Sequence, residues 1–102
     1  MKNRLIDLLT MCRKAGRMTM GFDAVKEDIE NKKTVLLLTA SDISKKSEKE
    51  ILFVAEKYKV AAVKTDITKE ETGFYLGRQC GIIGITDKGF AEKIKNLCPQ
   101  KP

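Results

Sequence analysis

The sequence predicts an α/β protein: a three-layer α/β/α sandwich around a small mixed sheet of about four strands. Three observations carry this. Segments with helical spacing of apolar residues alternate with short apolar runs, the signature of strands interleaved with covering helices. One of those runs, "TVLLLTA" from Thr34 to Ala40, is continuous rather than alternating, as expected of a strand buried on both faces. Three strands are each followed by a hydroxyl residue and an aspartate, namely Ser41–Asp42, Thr65–Asp66 and Thr86–Asp87. These residue types accept hydrogen bonds from the free N–H groups of a helix start.

The elements follow in order. Leu5, Leu8, Leu9, Cys12 and Ala15 recur at helical spacing, and Gly16 ends that first helix. "RMTM" has room for a very short strand. Phe22, Val25 and Ile29 mark one face of a second helix, closed at Asn31 and the lysine pair beyond it. After the Thr34–Ala40 strand comes a third helix with Ile51, Leu52, Ala55 and Tyr58 expected inward. Ser47 and Glu50 have capping-box spacing, so it starts at Ser47 or earlier near Ser44. "VAAVK" reads as a second core strand, and Thr68 with Glu71 as the capping box of a fourth helix. "GIIGIT" is a further strand, and "DKGFAEKIKNL" a last helix with Phe90, Ile94 and Leu97 inward. One domain is expected over residues 1–98, with a frayed tail at 99–102 that holds both prolines.

Composition removes several function classes. The chain of 102 residues is 42% hydrophobic and 33% charged, which separates it from disordered sequences. No run approaches the ~18 apolar residues of a membrane span. Asp7 interrupts the N-terminal apolar run, so no signal peptide is expected. Cys12, Cys80 and Cys98 form no CxxC pair and there is no histidine, which argues against a disulfide framework, a zinc site or a histidine-based catalytic triad. The expectation is a cytoplasmic protein without catalytic residues, metal or cofactor, its cysteines acting as small buried apolar groups.

The 20 basic residues against 14 acidic ones, a net charge of +6, favour polyanions. Arg13, Lys14 and Arg17 lie together without an acid between them, and the helix starting near Gly21 offers free N–H groups and the positive end of its dipole, with Lys26 on its first turns. Lys45, Lys46 and Lys49 are diluted by Glu48 and Glu50 and read as a solvated helix surface. Gly73, Gly77 and Gly81 recur every four residues without the Gly-Lys-Ser/Thr ending of a phosphate-binding loop. Gly73 and Gly77 are expected on one helical face that lets a neighbouring backbone approach, since glycine in a helix costs ~1 kcal/mol against alanine.

The pieces "CRKAGRMTMGFDAVKEDI", "KTVLLLTASDIS", "EETGFYLGRQ" and "GITDKGFA", in that order and spacing, resemble the ribosomal L-seven-Ae / L-thirty-e superfamily, and within it the small bacterial YlxQ-like members. The likeness runs from Leu5 to Ile94. It implies non-enzymatic binding of structured, ribosomal RNA, with kink-turns as the best understood target. The contacts would come from Gly21, Phe22 and Asp23 at the second helix start, Ser41 and Asp42 after the following strand, and Arg78, Gln79 and Cys80 before the last. Arg13, Lys14, Arg17, Lys26 and Arg78 would supply phosphate contacts. Where kink-turn binders show Gly-x-Asn-Glu-x-x-Lys, this chain has Gly21, then Asp23, Ala24 and Glu27, with Lys26 one position early and about 100° around the helix. The base readers and the phosphate-binding lysine of that pattern are therefore missing. The alternative implied by the resemblance is a module that meets a ribosomal or translation-factor protein partner.

Overall fold

The computed structural model describes residues 2–98; the expected tail at 99–102 lies outside the described residues. In chain order the elements are α1 (Lys2–Lys14), β1 (Met18–Met20), α2 (Phe22–Glu30), β2 (Leu36–Thr39), α3 (Lys45–Lys57), β3 (Ala61–Lys64), α4 (Lys69–Leu76), β4 (Ile82–Ile85) and α5 (Lys88–Leu97). The sheet order is β1-β4-β2-β3. β4 runs antiparallel to both β1 and β2, while β2 and β3 are parallel, so the sheet is mixed.

The continuous apolar run of β2 is explained by helices on both faces. Leu36 and Leu38 enter a cluster with Leu5, Leu9 and Cys12 of α1, Leu76 of α4 and Ile94 of α5. Leu37 points the other way, to Val25 and Ile29 of α2 and Ile51 and Ala55 of α3. β4 splits its residues similarly: Ile83 and Ile85 join the first layer and Ile82 the second. A Cβ at Gly84 would stand 3.3 Å from Val25 Cγ1, so glycine there lets α2 settle onto the sheet. Each fully buried aliphatic side chain contributes roughly 1.5–3 kcal/mol relative to exposure.

Several expectations are corrected. β3 is not a core strand. It pairs with β2 alone, and Ala61, Ala62 and Lys64 are exposed. A short, lysine-bearing strand suits a sheet edge. Of the two expected starts of α3 the earlier one forms, after Ser44, whose hydroxyl accepts from Ser47 N–H, so the Ser47–Glu50 box does not form. Leu52 faces outward (38% exposed), because it lies 100° around the helix from Ile51. Ala15 lies past the end of α1 in an exposed turn. Gly73 and Gly77 do not share a helical face against a neighbour. Gly77 is the left-handed C-cap of α4 (φ +82°), and Gly73 makes room for the returning chain at Gln79.

The Thr68–Glu71 capping box is complete: Glu71 N–H donates to Thr68 Oγ1 (3.1 Å) and Thr68 N–H to Glu71 Oε1 (3.0 Å). Of the hydroxyl–aspartate pairs, Asp87 caps the helix that follows it, accepting from Phe90 N–H. Thr65 instead bonds Thr39 O across the β2–β3 pair. Asp42 caps α4, 27 residues further on, by accepting from Lys69 N–H at 2.9 Å.

Candidate nucleic-acid interface

The mixed sheet decides which loops meet. β1, β2 and β3 run in one direction and β4 in the other. The ends of the first three therefore lie on the same edge as the beginning of β4. Gly21 N–H donates to Ile82 O, Ala40 N–H to Gly81 O, and Ser41 N–H to Ile67 O. The start of α2, the loop after β2, the loop after β3 and the Arg78–Gln79–Cys80 loop are thus stitched into one surface. Gly21–Phe22–Asp23, Ser41–Asp42 and Arg78–Gln79–Cys80 come together there from separations of up to 59 positions in the chain.

At the centre of this edge, Gly21 adopts φ +99° and ψ 154°, a conformation that favours glycine, and leaves the first turn of α2 without a side-chain cap. α3, α4 and α5 each have one, from Ser44, Thr68 and Asp87. Arg78 lies over Gly21: its Nη2 is 2.9 Å from where a Cβ would be. A guanidinium beside the positive end of a helix dipole is a repulsive arrangement that an incoming anion relieves, and Asp23 in the first turn offsets it only in part. Arg13 joins from α1. Its Nη1 is 3.1 Å from the Cβ position of Gly77, beside the C-terminal end of α4. Thr19 of β1 donates to the Asp28 carboxylate and braces α2 behind the edge.

Of the remaining basic candidates, Arg17 and Lys26 are not gathered here. Arg17 sits at the opposite end of β1, its carbonyl accepting from Thr86 N–H. Lys14 is exposed in the last turn of α1. Lys26 is half-buried and lines, with Phe22, Lys49, Phe53 and Tyr58, an open groove of about 500 Å³ between α2 and α3. Arg13 reaching Gly77 and Asp42 reaching Lys69 are contacts that sequence reasoning missed, and no local signal marks either.

None of the three thiols is primed as a nucleophile. Burial pushes Cys80 up, with the backbone around Ile82 and Gly21 and the guanidiniums of Arg78 and Arg13 pulling it partly back. Burial, then Asp87, pushes Cys12 up to about 11; burial, then Asp66, raises Cys98. Among the described residues no cluster of three metal-ligating side chains occurs, and no helix is long and apolar enough to cross a membrane.

This geometry has relatives. The family model described as "Ribosomal protein L7Ae/L30e/S12e/Gadd45 family" matches residues 4–95. An RNA-binding protein YlxQ of Bacillus subtilis (strain 168) is 30% identical over 95 residues, covering 88% of this chain and 90% of its own. The protein of the same name from Enterococcus faecium is 26% identical over 96 residues, covering 94% and 92%. A solved structure from Bacillus halodurans, of a protein with unknown function, superposes with a TM-score of 0.84 at 22% identity, over 91% of this chain and 94% of that one. It shares the fold.

Proposed function

The chain belongs to the ribosomal protein L7Ae/L30e/S12e/Gadd45 family, and from that premise we propose that it is a non-catalytic RNA-binding protein acting in the cytoplasm on structured RNA of the translation apparatus. The relatives named for RNA binding support this reading. The observation that carries it in this molecule is the pairing of the uncapped start of α2 with the Arg78 guanidinium on one sheet edge. Backbone N–H groups and a guanidinium fork both bind phosphate oxygens. With Ala24 and Glu27 where kink-turn binders carry a base reader and a cationic side chain, affinity comes from backbone and shape rather than from guanine edges. Phe22, Asp23, Ser41, Asp42, Gln79 and Cys80 stand in the loops and helix start that meet at that edge and would complete the contact.

The test is a titration of purified protein with a fluorescent kink-turn hairpin and with its straight duplex, over a range of salt. Log affinity falls linearly with log salt, and reversing Arg13 and Arg78 together to glutamate removes about 0.7–0.9 from the slope for each phosphate lost. Unchanged affinity in that double variant would place the interface elsewhere. Co-sedimentation with ribosomal subunits tests the link to translation. Partner capture that survives nuclease, in a protein without measurable RNA affinity, would favour a protein-interaction module instead.

A further inference from the structure

α4 lies along the candidate edge. Its first N–H, at Lys69, is held by Asp42 of the β2–α3 loop, and its C-cap Gly77 passes directly into Arg78, which covers Gly21. The helix therefore bridges two of the loops that form the edge. Thr72 and Leu76 are its buried residues, one turn apart, and this turns Phe74 and Tyr75 outward. Phe74 is 80% exposed and Tyr75 48%, and the two rings meet edge to face with centroids 4.8 Å apart.

Two adjacent aromatics held in solvent by a short helix contribute little to the core, and their surroundings point to a ligand. From Thr72 to Thr86 the chain carries no carboxylate. The acids of α4 stand in its first turn, Glu70 and Glu71, where Glu71 completes the capping box. At the other end the Arg13 guanidinium lies against Gly77, and Arg78 follows it. Gly73 lets Gln79 fold back onto the helix: a Cβ there would be 3.2 Å from Gln79 Cβ. The loop is thereby pressed against the turn that presents the rings. Flat π-faces on a helix that carries its acids in the first turn and ends against two guanidiniums match a nucleobase with phosphates toward that end.

We propose that Phe74 and Tyr75 form a stacking platform for an unpaired base of the bound RNA, with Arg13 and Arg78 taking the flanking phosphates. This rests on the RNA-binding reading above and adds to it a base contact made by the outer face of α4 rather than by the start of α2. It also supplies a recognition element in place of the base readers absent after Gly21.

The experiment uses the full chain and two hairpins of the same sequence, one with a three-nucleotide bulge and one fully paired. The wild type should bind the bulged hairpin more tightly. Phe74→Ala and Tyr75→Ala should each weaken that binding about tenfold, the worth of one stacked base, while affinity for the paired hairpin and the salt slope stay the same. Phe74→Trp should restore the bulge preference. Thermal melting checks that the variants fold, as removing an outward ring leaves the core intact. Equal wild-type binding of both hairpins, or a Phe74→Ala variant that keeps the bulge preference, overturns the platform and leaves RNA binding standing. A wild type that binds neither hairpin at low salt overturns the RNA reading itself. Nuclease-resistant capture of a protein that depends on Phe74 also overturns the platform.

Discussion

Replacing Gly21 with alanine tests the geometry of the edge at its centre. At φ +99° and ψ 154° the backbone occupies a region essentially reserved for glycine. Holding alanine there costs about 1–3 kcal/mol. The new Cβ would also stand 2.9 Å from Arg78 Nη2 and 3.3 Å from its Cζ. The guanidinium is the far end of a flexible side chain, so it yields at small cost to stability, but it leaves its place over the start of α2. Two separable effects are expected. Stability falls by about 2 kcal/mol, which for a domain of this size lowers Tm by roughly 8–16 °C. RNA affinity falls as well, with the salt slope reduced by about 0.7–0.9 for one phosphate contact. Gly16→Ala is the comparison: its φ is +72° and nothing lies within 4 Å of the added methyl. It should lose about 1 kcal/mol from left-handed backbone alone and keep RNA binding. Urea denaturation and RNA titration of both variants, and of Gly21→Ala in an Arg78→Ala background, complete the test. A Gly21→Ala protein within 0.5 kcal/mol of wild type refutes the backbone reasoning. An affinity loss as large without Arg78 as with it refutes the displacement.

The other predictions concern the supports of the edge. Asp42→Ala should cost about 1 kcal/mol by freeing Lys69 N–H. Asp42→Asn should keep that stability, retain the acceptor and raise RNA affinity by removing a charge; urea denaturation and titration distinguish the two. Cys12, fully buried, titrates at about 11 against an ordinary value of 9.0. A raised folded-state value means its contribution is fully present below pH 9 and is lost as pH rises from there to about 11. That loss is up to roughly 2–3 kcal/mol. Cys12→Ala should flatten the stability profile over that window, and an unchanged profile would show that the thiol does not govern alkaline unfolding.

Much of the fold was legible because its elements are written locally. The apolar face of α1 from Leu5 to Cys12, the doubly buried β2 and the Thr68–Glu71 box depend on neighbours within four positions, and each forms as expected. Three of the errors share one cause. "VAAVK" is apolar enough for a core strand, but sheet order leaves it at the edge with one partner. Asp42 is a capping residue by type, but the helix it caps starts at Lys69 because β2 and β3 end side by side. Gly73 and Gly77 follow a helical interval, yet the helix ends at Leu76 and Gly77 turns the chain out of it.

For the candidate site the division is the same. Sequence by itself determined the chemistry available: an excess of basic residues, a glycine at a helix start, three cysteines without a CxxC pair, no histidine, and the departure from Gly-x-Asn-Glu-x-x-Lys. It also placed Gly21, Asp42 and Arg78 in three loops. Only the tertiary structure decided that β4 runs against its neighbours, which brings those loops to one edge. It also set Arg78 over Gly21 and Arg13 over Gly77, left Arg17 at the far end of β1, and turned Phe74 and Tyr75 outward on α4. The physical reason is range. Propensity and capping act over a turn of chain, whereas the direction of a strand is settled by burial on both faces of the sheet at once.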